Sequence, residues 1–490
     1  MDTNTKIKLI SIVILGSIFI LSVVAFTNIN YNAPSNLEQE YETILYIEDL
    51  KISKISERIF INGTSDWVDL KNEGNCTGQG TYSDPYVIKD LVINGFYIGT
   101  CIWIENSDVY FKIENCTVYN AENYGIYLNN VSNGHLVNNT FSSNIAEGIS
   151  LYRSHNNTIL ETNINNNYEG IRLYDSNNNN ISGNHLTNNY AVGIGNSNSN
   201  NTIVIGNTVD YNSIGIDLWK SNNTLVSGNI MNECGLRIFG NIELLSSNNI
   251  DTTNIVNGKQ LYYYTNEIGL KSNNFTNGGQ VILVNCNDSS ISDLDVSLST
   301  RGISLYYCNK NNISGNIANN NIYGISLEYC NNITISGNIA NDNFWNGIDL
   351  VGSNNNAITG NRVDRNSVGI GLWTSNNTLV TGNIGSNNLY YGIWLDMSNN
   401  NTITGNTASS NTIGILLERS NNNEITGNTL IGNNECFSEF DSEGNNFDNN
   451  NCGETSVING YDLFYLFGTT CFVSIVFLKR IKQPKKSLNH

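Results

Sequence analysis

Aliphatic and polar residues alternate in short bursts along most of this chain: Ile126 with Leu128, Ile149 with Leu151, Ile325 with Leu327, Ile348 with Leu350, Ile415 with Leu417. A period of two predicts a strand with one face turned inward. Each burst follows a glycine, so that Gly-Ile-x-Leu recurs at Gly125, Gly148, Gly170, Gly215, Gly302, Gly324, Gly347, Gly369, Gly392 and Gly414, loosened at Gly193, in steps of 22 or 23 residues. A second signature, aliphatic-x-Gly-Asn, keeps the same step at Gly183, Gly206, Gly228, Gly315, Gly337, Gly360, Gly382, Gly405 and Gly427. Two markers holding one phase over most of the chain predict units that stack only on their neighbours.

Six residues after the signature glycine stands a small residue, such as Ser176, Ser221, Cys286, Cys308, Cys330, Ser375 or Ser420, and asparagine usually follows it, as at Asn177, Asn222, Asn331, Asn376 and Asn421. Stacked asparagines close corners without unpaired polar groups, because the amide bonds its equivalent in the coil above and below. Leucine-rich repeats share the period but need a Leu-rich consensus that is absent here. The expected fold is all-β, a single-stranded right-handed parallel β-helix of about 15 coils, and at about 4.8 Å per coil a rod roughly 70 Å long. It occupies residues 61–435, with degenerate coils at 240–295 and a lateral excursion around Gln260 to Asn266.

These Asn-rich coils, the opening segment from Gly80 to Ile88, and the middle segments Val256 to Tyr264 and Gly279 to Leu283 resemble the archaeal surface branch of the NosD-type right-handed β-helix proteins. The resemblance covers roughly residues 60–435 and implies the β-helix fold. It also implies, for the family's namesake, a copper-related accessory role. Copper needs His, Cys or Met held together. His135, His155 and His185 stand 10, 7 and 15 residues after their signature glycines and project from different sides of the rod.

The ends change the picture. Lys6 and Lys8 precede an apolar run from Leu9 to Phe26, so residues 1–26 read as an export signal or retained anchor, followed by a linker at 27–60. After a cap or linker at 436–458, residues 459–490 hold the apolar run Tyr461 to Leu478 followed at once by Lys479, Arg480 and Lys482, a membrane anchor or sorting tail with a basic cytoplasmic end. Fifteen Asn-x-Ser/Thr sequons, Asn156 and Asn400 among them, agree with export and a cell-surface location. A formal charge of -19 without a basic cluster in the repeats excludes a nucleic-acid surface.

Of the ten cysteines, Cys286, Cys308 and Cys330 fill the small-residue position, whereas Cys436 and Cys452 are candidates for a disulfide closing a terminal cap, as are Cys76, Cys101 and Cys116 at the other end. The outward positions of the signature strand carry rings and carboxylates. Tyr152, Tyr174, Trp219, Trp373 and Trp394, with Asp217, Asp349 and Asp396, are the candidate carbohydrate-binding residues, since rings stack on sugar faces and carboxylates accept from hydroxyls or hold calcium. The function expected is a structural or adhesive one toward extracellular glycans or surface-layer components. A polysaccharide lyase or hydrolase is the enzymatic alternative, with Asp349 and Glu328, or Asp396 and Glu418, as adjacent carboxylate pairs. A NosD-like copper-related accessory protein is the third reading.

Overall fold

The computed structural model describes residues 54–453. The expected signal or anchor at 1–26 and the tail at 459–490 lie outside the described residues. Among the described residues no helix is long and apolar enough to cross a membrane.

The repeat is a parallel β-solenoid of about 16 turns. Its signature strands pair in register, Ile149 between Ile126 and Ile171 and Leu151 between Leu128 and Leu173, all fully buried. These ladders fill the interior, each burial contributing about 1.5–3 kcal/mol. The signature glycines allow the coils to approach. A Cβ on Gly170 would lie 2.6 Å from the Gly193 carbonyl oxygen. The glycine of the second signature serves a different need, since Gly206 turns at φ 64°.

Corners are closed by asparagine, partly as expected. In the file one residue after the small position, amide oxygens accept a backbone N–H of the adjacent coil, as Asn376 Oδ1 does from Asn399 at 2.7 Å and Asn354 Oδ1 from Asn376 at 2.8 Å. Side-chain-to-side-chain stacking is found in other files, such as Asn343 on Asn366 and the asparagines of the Gly-Asn signature. Asn338 Nδ2 donates to Asn361 Oδ1 at 3.0 Å, and Asn361 Nδ2 to Asn383 Oδ1 at 2.9 Å. The small file includes thiols: Cys286 N–H donates to Cys308 Sγ at 3.4 Å, and Cys308 N–H to Cys330 Sγ at 3.3 Å. Sulfur there takes the place of the serine hydroxyl.

The coils form two offset stacks. In the first, residues 54–256, three parallel sheets enclose the core, and the signature strands run from Ile59–Asn62 to Leu236–Phe239. Its last short strand, Ile255–Val256, pairs antiparallel with Lys259–Thr265 through a two-residue turn in which Asn257 (φ 50°) and Gly258 (φ 75°) are both left-handed. Asn-Gly at such a turn matches the twist of a hairpin. The segment expected to loop out around Gln260 to Asn266 is therefore a strand. It opens the second stack, whose signature strands continue from Gly278–Val284 to Glu435–Phe440.

Strand Gly278–Val284 is buried on both faces. Val281 and Leu283 enter the second core, Ile282 and Val284 the first. The outer face of the second stack thus covers the end of the first, and the free edge of Leu236–Phe239 is met by side chains. Gln280 bonds both main-chain groups of Leu236, Thr300 Oγ1 accepts from Gly235 N–H at 2.9 Å, and the Tyr306 hydroxyl donates to the Ile238 carbonyl at 3.1 Å. The outer faces of the two signature sheets meet at a re-entrant corner.

Candidate functional site

Outward positions of the second stack form two files along the axis. One runs Ser304, Ser326, Asp349, Gly371, Trp394, and the other Tyr306, Glu328, Val351, Trp373, Asp396. Near the far end the rings converge: Trp373 and Trp394 centroids are 6.0 Å apart, and Tyr391 lies 5.9 Å from Trp394. Trp373 is 43% exposed. Trp394 is half-buried, its indole N–H donating to Glu418 Oε2 at 2.9 Å.

The remaining candidates lie on the first stack. Tyr152 and Tyr174 stack at 5.7 Å, and Trp219, 37% exposed, stacks on Phe239 at 4.0 Å. The structure thus gathers the expected rings into three separate groups.

Two carboxylates expected on the wet face are buried. Asp217, 1% exposed, takes two bonds of 2.8 Å from Arg237, and Asp396, 2% exposed, is held by Arg419 Nη2 at 2.6 Å. In both cases an arginine of the adjoining coil lies across the carboxylate. Parity along a strand tells which face a residue is on, but a long neighbouring side chain decides whether water reaches it. Asp349 differs. It is half-buried, accepting from Asn346 Nδ2 at 2.6 Å. Burial pushes its carboxyl up to about 6, opposed by Arg301 and the Asn346 bond and reinforced by Glu328.

Asp349 belongs to the corner, where charge is concentrated. Arg301 Nη1 donates to Glu328 Oε1 at 2.7 Å and to the Tyr306 hydroxyl at 3.0 Å, with its guanidinium 5.0 Å from the Tyr323 ring. On the facing sheet stand Arg237 with Asp217, then Arg172 3.4 Å from Glu169. Burial raises the Glu169 carboxyl to about 7, Arg172 opposing. Sequence reasoning had missed Arg237, Arg301, Tyr323 and Glu169. Arg301, Tyr323 and Glu169 immediately precede signature glycines, a place filled by Val or Ile in coils such as Val192 and Ile413, and that charge was the available signal.

Cys436 and Cys452 are disulfide-bonded, with Cα atoms 5.5 Å apart. Cys76, Cys101 and Cys116 are buried free thiols, and burial raises Cys101 and Cys116 to about 11. The donors do not fit copper. His155 Nδ1 accepts from Asn177 N–H, His185 lies beside Asp210, and the thiols at 286, 308 and 330 bond main chain inside the core. Among the described residues no three His, Cys, Asp or Glu side chains are grouped to hold a metal.

Stacked parallel coils with an aliphatic interior and asparagine corners define a parallel β-helix protein. Residues 70–231 match the model of the right-handed beta helix region, and residues 254–462 that of the family described as periplasmic copper-binding protein (NosD). The repeat is thus a right-handed β-helix, and its second half matches the NosD family. No curated protein sequence matches it. Among solved structures, a variant of the periplasmic alginate epimerase AlgG aligns at 14% identity over 81% of this chain and 84% of that one, with a TM-score of 0.31. The A-module of mannuronan C-5 epimerase AlgE6 from Azotobacter vinelandii aligns at 13% identity over 74% and 88%, TM-score 0.26. A tailspike variant of E. coli bacteriophage HK620, in complex with a pentasaccharide, aligns at 11% identity over 73% and 70%, TM-score 0.28.

Proposed function

We propose that this protein is exported, held at the cell surface by its apolar carboxyl-terminal segment, and binds an extended extracellular glycan along the outer face of the second stack. The observation that carries this reading is the contiguous group of Tyr391, Trp394 and Trp373 on adjacent coils of a water-facing sheet. An indole left 43% open gives up burial the fold makes available elsewhere, and rings 6.0 and 5.9 Å apart offer adjoining apolar faces. The matched family's description as periplasmic supports export.

The test is a binding screen of the purified full chain against surface-layer and extracellular polysaccharides, neutral and acidic. The Trp373→Ala/Trp394→Ala variant is expected to melt close to wild type and to lose about 1–3 kcal/mol of affinity, roughly 5- to 150-fold. Equal binding by variant and wild type would remove the platform.

A further inference from the structure

We propose that the first stack carries a binding face of its own, an aromatic track on its outer sheet that holds a neutral polysaccharide laid across five successive coils from Phe60 to Tyr174. The track stands apart from the platform of the second stack and shares no residue with it. Two side chains point outward from each signature strand here. One file runs Phe60, Trp103, Tyr127, Ser150, Arg172, and the other Asn62, Glu105, Asn129, Tyr152, Tyr174. Each of these strands therefore presents one ring and one hydrogen-bonding side chain, and none presents an aliphatic one.

The rings form a line. Phe60 and Trp103 centroids are 5.5 Å apart, Trp103 and Tyr127 5.7 Å, and Tyr152 and Tyr174 5.7 Å, with Tyr124 stacked on Tyr127 at 4.8 Å. At Tyr152 the line passes from the first file to the second, and four strand steps of about 4.8 Å make it about 19 Å long. Phe60, Trp103 and Tyr174 are 56%, 38% and 44% exposed, and the rings between them are half-buried. Apolar residues scattered singly over a surface need no explanation, whereas a contiguous line of open rings marks a place that something covers. The line stops at the next strand, Val192–Ser197, whose outward positions are Gly195 and the buried Ser197. Arg172, held 3.4 Å from Glu169, fills the space above Gly195 and closes that end with a donor.

The composition of the face selects its occupant. A sugar unit has an apolar C–H face that stacks on a ring and hydroxyls that need donors and acceptors, and every coil of the track offers both. A stable protein partner needs a broad apolar centre, but half of the outward positions here are polar. A lipid surface calls for Lys and Arg around the rings. Carboxylates stand there instead: Glu105 and Glu147 lie close enough to Tyr127 to act on its hydroxyl, and Glu105 Oε1 accepts from Asn62 Nδ2 at 2.8 Å. The same carboxylates turn away a polyanion, which leaves a neutral chain. Arg153, 4.9 Å from the Tyr152 ring, adds an exposed donor beside the line.

The experiment is oxidative footprinting of the purified full chain, read residue by residue by mass spectrometry, with and without soluble neutral glucan, mannan and galactan oligosaccharides of increasing length. It is repeated on the Trp373→Ala/Trp394→Ala variant. A neutral oligosaccharide is expected to shield Phe60, Trp103 and Tyr174 in both proteins, and to bind more tightly with length until it spans the track. Trp103→Ala/Tyr174→Ala should bind it about 5- to 150-fold more weakly. Because Trp103 touches Phe60 and Tyr127, the melting temperature of this variant is measured alongside. If it falls, Tyr174→Ala alone, at the exposed end of the line, decides, with an expected loss of about 2- to 10-fold. No shielding of the three rings by any neutral oligosaccharide, or a folded variant that binds as wild type does, overturns the proposal. So does shielding by acidic polysaccharides alone, and so does shielding that rises with protein concentration in the absence of sugar, which would make this face an interface between copies. The platform is read separately: track shielding that persists while Trp373 and Trp394 stay open in wild type supports the track and removes the platform.

Discussion

Gln280 closes the edge of the first stack by standing in for a strand: its Oε1 accepts from Leu236 N–H at 2.9 Å, and its Nε2 donates to the Leu236 carbonyl at 2.7 Å. One amide thus supplies both bonds that the next coil would have made. The same Nε2 also reaches the Arg301 carbonyl at 2.9 Å, so the side chain ties the two stacks together at a fully buried point.

Gln280→Leu keeps the volume and removes the bonds. Two buried main-chain groups on Leu236 lose their partners, at about 1–3 kcal/mol each. The variant is expected to unfold at lower urea than wild type, by about 2 to 6 kcal/mol in stability. A midpoint equal to wild type would show that water or a shifted neighbour satisfies the Leu236 edge.

A comparable loss is expected inside the asparagine ladder. The Asn361 amide oxygen accepts from Asn338 N–H at 2.9 Å and Asn338 Nδ2 at 3.0 Å, and its nitrogen serves the Ile335 carbonyl at 2.9 Å and Asn383 Oδ1 at 2.9 Å. Asn361→Ala strips four bonds from a site closed to water and should cost about 3 kcal/mol or more. Asn400, exposed at a turn and left-handed at φ 56°, is the comparison for backbone strain alone, and its replacement by alanine should cost about 1–2 kcal/mol. Guanidinium melts of the two variants side by side make the comparison.

Much of this was legible in the chain itself. Ile348 and Leu350 are fully buried where alternation put them, and the fixed step of Gly-Ile-x-Leu stacks them on Ile325 and Leu327. Such ladders repeat one local rule, so counting residues recovers them. The hairpin at Asn257 and Gly258 is a single event, and the phase carried through Gly258 concealed it, although Asn-Gly before a run of Gln, Leu and Tyr is itself a turn signal. Missing that reversal hid the offset of the stacks. The corner went with it, because Arg237 and Arg301 come together only through residues 64 apart in the chain. The aromatic platform needed no such long-range knowledge, since Trp373 and Trp394 occupy successive coils.

The corner carboxyl most sensitive to pH is Glu169. Burial raises it to about 7, Arg172 opposing and Glu147 and Asp217 adding to the rise. A carboxyl whose folded value exceeds its unfolded one favours the native state at low pH, and that contribution is lost as pH rises through the folded value. From about 4.5 unfolded to about 7 folded, the difference at high pH is at most about 3 kcal/mol. Glu169→Gln carries no charge to desolvate and keeps the amide length. It is therefore expected to match wild type at pH 4.5 and to be more stable at pH 8.5, with the gap opening between about pH 5 and pH 7.5. His135, lowered by burial and Lys112, works in the opposite direction in the acid part of this range, but it is present in both proteins and cancels from the difference. Denaturant melts of the pair at the two pH values measure it. Parallel stability curves for variant and wild type would mean that the Glu169 carboxyl is ionised in the folded corner, with Arg172 meeting the full cost of its burial.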